Sequence, residues 1–407
     1  MAQTDTQTLP VIEGPGVQTR LTAEEEQAVV KVVREASSLG IGPTGGPENN
    51  AFEDDFKKLI GCTDAVAVNS CSSALELAAI LSGIGAGDEV ILPAHTFVSS
   101  AVPFGRTGAA IKWADIDAGT RLICPRSVAS LISPRTKVIV AVHLYGLPAE
   151  LDTIMELANK HKLIVVEDCA QAPGARYKGR RVGSVGDFGC FSFHTAKNMQ
   201  TLGEGGMLAV RDAEHGRQAR RMRWMGNWPF EEQREKDWVP AGGNLVEPIP
   251  GRWPMNVCMN VPASVVGRLM LKRLDAINEQ RRHQARRFMG ALSDYDELDF
   301  QHVPEGCEHA YHLMCARYDG QRYGVARDTV FALLRDKYNV KVIVQYWPLY
   351  HSELFRSFGF GEANVPETDR FYENMISFPW WSDMSDDLID DMADRTRQAL
   401  QERRGGD

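Results

Sequence analysis

The sequence predicts an α/β protein: a large domain on a mostly parallel, mixed sheet, then a smaller α+β domain on the C-terminal side. Three observations carry that expectation. Short β-branched runs alternate with longer amphipathic stretches as far as about residue 210, the pattern of a sheet covered by helices on both faces. A long helical pattern near 261–290 then introduces a second, shorter set of elements. Finally, 407 residues are more than one small core organises and fit one large domain plus a smaller one.

In chain order, LTAEEEQAVVKVVREASSL (21–39) places apolar side chains at three- and four-residue intervals and predicts a helix. A Gly/Pro-rich stretch, GIGPTGGPE, leads to a second helix around AFEDDFKKLIG. Strands are expected at DAVAVNS, EVILPAH, AAIKWADI, KVIVAVHLYG and LIVVEDC, with helices at SSALELAAILSGI and ELDTIMELANKHK, and GCFSFHT and GMLAVRD complete the series. The stretch 225–255, rich in Gly, Pro and Trp, reads as an irregular excursion. Beyond the long helix, HAYHLMCARY and VKVIVQY are strand candidates on either side of a helix, RDTVFALLRDKY. The division expected is an N-terminal arm (1–20), a large domain (21–260) and a small C-terminal domain (261–407).

Composition narrows the class. The formal net charge is -9 and there is no long lysine or arginine run, which argues against nucleic acid or an anionic membrane as the main partner. The opening MAQTDTQTLPVIEGPG has neither a basic nor an apolar leader region, and no apolar stretch reaches membrane-spanning length. The cytoplasm is the compartment expected. Eight cysteines are scattered without a C-x-x-C pair, so free thiols, most of them buried, are expected rather than a metal cage or a disulfide framework.

Ligands of open α/β sheets sit beyond the carboxyl ends of the strands. Four groups follow predicted strands: Ser70–Ser73, His95–Phe97, Asp168–Gln171 and His194–Lys197. Ser72 and Ser73 open a helix whose free N–H groups suit a phosphate, though a serine there also serves as an N-cap. Asp168 ends a buried apolar strand and needs a partner. The protonated ring nitrogen of pyridoxal 5'-phosphate (PLP) is one, and a buried salt bridge or a helix cap is the alternative. Lys197, 29 residues after Asp168, is an amine that can condense with an aldehyde where desolvation lowers its pKa, whereas a lysine at a strand end is ordinarily solvated. Phe97 can stack on a pyridine ring or pack in a core. Gly203–Gly206, GEGG, permits a tight turn. Each signal is weak alone; together they assemble an aldehyde trap, a pyridinium partner, a phosphate cradle and a stacking ring.

From about residue 20 to residue 400 the chain resembles the DegT/DnrJ/EryC1/StrS family of PLP-dependent sugar aminotransferases. GPTGGPENNAFEDDFKKLIG, NSCSSALELAA, PAHTFVSSA, VEDCAQAPGA and, most specifically, FSFHTAKNMQTLGEGGML are similar to its motifs, as are KRLDAINEQRR and SFPWWSDMSDD farther on. The resemblance implies an aspartate aminotransferase-like (fold type I) architecture. It also implies Lys197 as the Schiff-base lysine and general base, Asp168 on the pyridinium nitrogen, Gln171 beside the phenolic oxygen and Phe97 on the ring. Ser72, Ser73 and Ser192 would bind the phosphate, and His194 would line the substrate side. Asn256 would reach the phosphate of a neighbouring subunit, which implies a homodimer with shared sites. Cys258 stands where the family's arginine is usual and Ala263 where glutamine is common.

The implied reaction moves an amino group from glutamate or glutamine to a keto-sugar. Cyclitol enzymes of the family usually carry Q-Q-x-K before the lysine, whereas this chain has His194-Thr195-Ala196-Lys197. That points to bacterial surface glycans (lipopolysaccharide, O-antigen), with a nucleotide-linked keto-sugar or an oxidised octulosonate as acceptor; a keto-cyclitol is the alternative. A sugar dehydratase of this family would carry histidine in place of Lys197, and a non-catalytic regulator would need no Asp168–Lys197 pair. VKVIVQYWPLYHSELF departs from the usual G-I-x-x-x-x-H-Y-x-P-L-H, making Gln345, Tyr346, Trp347 and His351 candidate acceptor contacts.

Overall fold

The computed structural model describes residues 9–39, 46–227 and 244–404. Most of the Gly-rich turn at 40–46 and the centre of the Trp-rich excursion, with Trp228 and Trp238, lie outside the described residues, as does the start of the arm.

The chain opens with α1 (Ala23–Leu39) and α2 (Pro47–Ile60), then β1 (Asp64–Val68), α3 (Cys71–Leu81), β2 (Glu89–Pro93), α4 (Val102–Arg106), β3 (Ala110–Ala114), α5 (Pro125–Leu131), β4 (Thr136–Val142), α6 (Leu151–His161) and β5 (Ile164–Asp168). Two short strands, β6 (Arg176–Tyr177) and β7 (Arg180–Arg181), precede β8 (Phe188–Ser192), β9 (Gly206–Val210) and α7 (Ala213–Arg223). Local chemistry sets the helix ends. Pro47 occupies the first turn of α2, and Gly61, in the left-handed region, closes it by giving its N–H to Lys57 O. Ser70 caps α3 by accepting the N–H of Ser73.

Seven strands form one sheet in the order β1-β9-β8-β5-β4-β2-β3. The pairs β2–β3, β2–β4, β4–β5 and β5–β8 are parallel, and β9 runs antiparallel to both β8 and β1. Six strands therefore deliver their carboxyl ends to one edge, and β9 starts from that same edge. This is the α/β fold with a mostly parallel mixed sheet that the sequence predicts. Every residue of β2, β8 and β9 is buried, as expected of strands covered on both faces.

The second half comprises α8 (Val261–Ala291), β10 (Leu298–Phe300), β11 (Cys307–Glu308), β12 (Met314–Tyr318), α9 (Arg327–Ala332), α10 (Glu353–Ser357), α11 (Pro366–Asn374), β13 (Met375–Phe378) and α12 (Asp386–Arg404). Strands β10-β12-β13 form a small antiparallel sheet. The 31-residue α8 is about 46 Å long and serves two cores. Val266, Met270 and Leu274 pack with Phe52, Phe191 and Phe193 beneath the large sheet, while Ala285 and Phe288 pack with Tyr318, Phe378 and Trp380. Ile12 of the arm is buried in this second core.

Two strand expectations need correction. VKVIVQY is not a strand; beyond single bridges from Val340 to Ile12 and from Ile343 to Ser377 it forms no ladder. Its last two residues are drawn elsewhere, since Gln345 O accepts the Tyr145 hydroxyl and the Tyr346 hydroxyl accepts Gln171 Nε2. In HAYHLMCARY only Met314–Tyr318 is extended, because Ala310 and His312 give their N–H groups to Gly146 O and Tyr145 O. All eight cysteines are free; four are buried and four half-buried.

Candidate active site

A cavity of 470 Å³ opens at the carboxyl edge of the large sheet, lined among others by Ser72, Phe97, Asp168, Gln171, Ser192 and Lys197. Parallel pairing explains the assembly: the segments after β1, β2, β5 and β8 emerge side by side, although they are up to about 130 residues apart in sequence.

Lys197 follows β8 in a turn closed by its own N–H to His194 O. Burial lowers its pKa below the usual lysine range, against the opposing pull of the negative charges that Cys71, Asp168 and Glu204 can carry. A desolvated amine of this kind is more readily a free base. The arm pins the turn on both sides. Gln18 N donates to Thr195 O at 3.0 Å, and Thr19 Oγ1 donates to Asn198 O at 2.8 Å. Arg281, wholly buried, holds the arm in turn, donating to Gln18 Oε1, Ser382 Oγ and the carbonyls of Tyr311 and His312.

Asp168 is buried, and its carboxylate takes neutral donors: Ser100 Oγ at 2.7 Å and Ala170 N at 3.0 Å. Among the described residues no ion pair reaches it. Its neighbour Glu167 points to the opposite face, where it accepts from His143 Nε2 and from the N–H groups of Gly183, Val185 and Gly186. Burial would raise the Glu167 pKa, but the His143 bond and these amides hold it low. His143, Glu167 and Cys169 stand close enough to share a metal ion, yet His143 Nδ1 already accepts Ala149 N–H and the carboxylate is saturated.

Gln171 bridges two tyrosines, accepting Tyr145 N–H at 2.6 Å and donating to the Tyr346 hydroxyl at 2.8 Å. Phe97, 49% exposed, meets the edge of Tyr346 at 5.7 Å between ring centroids. Ser72 Oγ donates to Ser99 Oγ at 2.9 Å. The start of α3 comes close to β9 because residue 206 is glycine: a Cβ there would lie 2.4 Å from the Ser70 carbonyl carbon and 2.7 Å from Cys71 N.

His194, Gln345 and Tyr346 also line the cavity. Four expected site residues do not. Ser73 turns its hydroxyl to Asn69 Oδ1 at 2.6 Å. Asn256 is exposed and bridges to Trp224. Trp347, 62% exposed, stacks with Tyr372 and donates to His351 Nδ1, and His351 lies 3.9 Å from Asp369. Among this chain's cavity groups, Gln18, Ser99, Ser100, Glu204 and His312 were not singled out from sequence, whereas Thr96 falls within the His95–Phe97 group. Ser99 and Ser100 fall within PAHTFVSSA and Glu204 within GEGG, so a signal existed for them; Gln18 and His312 carry none. His312 is pushed well below the ordinary histidine pKa by burial, with the charges of Lys197 and Arg281 adding to it.

The family model for DegT/DnrJ/EryC1/StrS aminotransferases matches residues 21–397. The chain belongs to the DegT/DnrJ/EryC1/StrS aminotransferase family. It is 36% identical over 356 residues to the spore coat polysaccharide biosynthesis protein SpsC of Bacillus subtilis, covering 87% of this chain and 90% of that one. Among solved structures it is similar to an aminotransferase from Psychrobacter cryohalolentis (28% identity, TM-score 0.87, 97% and 99% of the two chains). It is also similar to the PLP-form of the putative sugar aminotransferase Spr1654 from Streptococcus pneumoniae (25% identity, TM-score 0.83, 96% and 100%). This family member is thus a PLP-dependent transaminase of the sugar aminotransferase type.

The residues present fit that cofactor. A buried carboxylate that holds only neutral donors has room in its electrostatics for one cationic ring N–H. The cradle at the start of α3, which a Cβ at Gly206 would fill, suits a phosphate. Lys197 supplies the desolvated amine. No helix among the described residues is long and apolar enough to cross a membrane.

Proposed function

We propose that this aminotransferase carries an amino group from glutamate or glutamine to a keto-sugar on the way to a bacterial surface glycan. The observation that carries the reading is the convergence of Lys197 and Asp168 on one cavity, with Lys197 desolvated and Asp168 free of any ion pair among the described residues. Kinship with a spore coat polysaccharide biosynthesis protein supports the glycan setting.

In this reading Lys197 Nζ binds the cofactor's aldehyde carbon, and Asp168 holds the proton on the ring nitrogen. Gln171 stands by the phenolic oxygen, and Phe97 covers the ring. Ser72, Ser192 and the first N–H groups of α3 hold the phosphate, with Ser73 supporting them through Asn69. Bound PLP supplies an electron sink for the carbanion left when a proton leaves the donor's α-carbon. Lys197 Nζ would be the base placed to take the proton from the donor's α-carbon and deliver it to the former aldehyde carbon, and to run the same transfer in reverse for the acceptor. His194, Gln345 and Tyr346 face the substrate, and Trp347 and His351 extend that surface beyond the cavity.

The exposure of Asn256 is compatible with service to a neighbouring subunit's phosphate, and a cytoplasmic homodimer is part of the proposal. So is the division into arm, large domain and small domain, with α8 shared between the last two.

The test is a donor-dependent turnover screen against nucleotide keto-sugars, keto-octulosonates and keto-cyclitols, read by product mass. Product is expected from keto-sugars; product from cyclitols alone would overturn the assignment. Borohydride should fix the cofactor to wild-type protein and not to Lys197→Ala, whose turnover should fall by roughly 10²–10⁴-fold.

A further inference from the structure

We propose that Glu204 and His194 form a subsite that grips a hydroxyl of the keto-sugar and thereby separates it from the amino-acid donor; this rests on the keto-sugar reading above. The segment before β9 runs back along the segment after β8. Phe193 N donates to Gly205 O at 2.8 Å and Thr195 N to Gly203 O at 3.1 Å. This register sets His194 directly opposite Glu204, with both side chains on one face, and both line the cavity beside Lys197.

The two residues that follow Glu204 have no room for side chains. A Cβ at Gly205 would lie 2.1 Å from Thr201 Oγ1, and one at Gly206 would lie 2.4 Å from the Ser70 carbonyl carbon. In this glycine run a carboxylate is the single side chain presented, 63% exposed at the cavity rim.

The pair is poised for a guest. His194 Nε2 and Glu204 Oε1 are 3.7 Å apart, beyond hydrogen-bond reach. His194 Nδ1 accepts Ala196 N–H at 3.0 Å, so in the neutral ring the proton resides on Nε2. One donor and one acceptor then face each other across a gap that suits a group able to accept and donate at once, which is what a hydroxyl does. A carboxylate or phosphate can only accept, and Glu204 repels it. Donor and acceptor occupy the same cavity in turn. Glutamate brings carboxylates and a sugar brings hydroxyls, so the pair favours the acceptor at this spot.

The experiment separates the half-reactions. PLP-loaded protein is mixed rapidly with glutamate, and the pyridoxamine form with the keto-sugar found by the screen, each followed by cofactor absorbance; calorimetry gives the keto-sugar's affinity for the pyridoxamine form. For Glu204→Gln the acceptor constant should rise roughly 10–100-fold, in both calorimetry and kinetics, and by more than the constant for glutamate changes. His194→Ala should weaken the acceptor in the same direction, by roughly 3–10-fold. Parallel loss in both half-reactions, or an unchanged acceptor constant, would overturn the pair while leaving the aminotransferase reading intact. Absence of turnover with every keto-sugar would overturn both.

Discussion

Ser100 Oγ donates to Asp168 Oδ2 at 2.7 Å and lies 2.8 Å from Thr96 Oγ1. Because the Ser100 proton is committed to the carboxylate, the Thr96 hydroxyl must donate to Ser100. A buried acid is thus stabilised by a chain of hydroxyls, and among the described residues no ion pair takes up its charge. Removing the end of the chain and removing the charge should therefore differ. Ser100→Ala should lower kcat by roughly 3–10-fold, the value of one hydrogen bond to a charged group, while Asp168→Asn should cost roughly 10²–10³-fold. Steady-state turnover, with PLP affinity from an absorbance titration, checks the ranking.

Lys197 makes a stability prediction for the cofactor-free protein. Its folded pKa is lowered by burial from 10.5, so the unfolded chain holds the proton more tightly than the folded one. The penalty is complete at pH below the folded value and is relieved as pH rises from there towards 10.5. Lys197→Met should therefore melt above wild type near neutral pH, and the gap should narrow as pH approaches 10. Paired melting curves across that range measure it; a gap independent of pH would place the effect in packing alone.

Gly206→Ala should harm the cofactor cradle more than the fold. The added methyl meets backbone, the Ser70 carbonyl carbon at 2.4 Å and Cys71 N at 2.7 Å, so α3 must move. Overpacking of this kind costs about 1–3 kcal/mol, which a large domain survives. PLP affinity should fall at least roughly 10-fold, since the displaced N–H groups are those proposed to hold the phosphate.

Arg281 is buried without a carboxylate among its hydrogen-bond partners. Arg281→Met removes a costly buried charge but strands four acceptors, each worth about 1–3 kcal/mol when left unpaired. The stranded acceptors outweigh the charge, and a net loss of about 2–4 kcal/mol is expected. Urea denaturation should show a lower midpoint with unchanged slope. Loss of PLP retention should accompany it, because Gln18 and His312 border the cavity.

Much of the fold was legible because its signals are local. β-branched runs, a serine cap, Pro47 and Gly61 act within a few residues, and alternation of strands with helices leaves a parallel sheet as the economical outcome. VKVIVQY misled because β-propensity describes a run's taste and not its neighbours: Tyr145 and Gln171 claim Gln345 and Tyr346 for the cavity wall.

The sequence by itself determined the strand-end chemistry. Lys197, Asp168, Phe97 and Ser72 each stand at or just beyond the end of a strand, and parallel pairing carries all such residues to one edge. The tertiary structure alone decided which groups complete that edge. Gln18 arrives through Arg281, and His312 through the bend against Tyr145 O. Contacts of this kind depend on register and on partners a hundred or more residues away, and no local spacing encodes them.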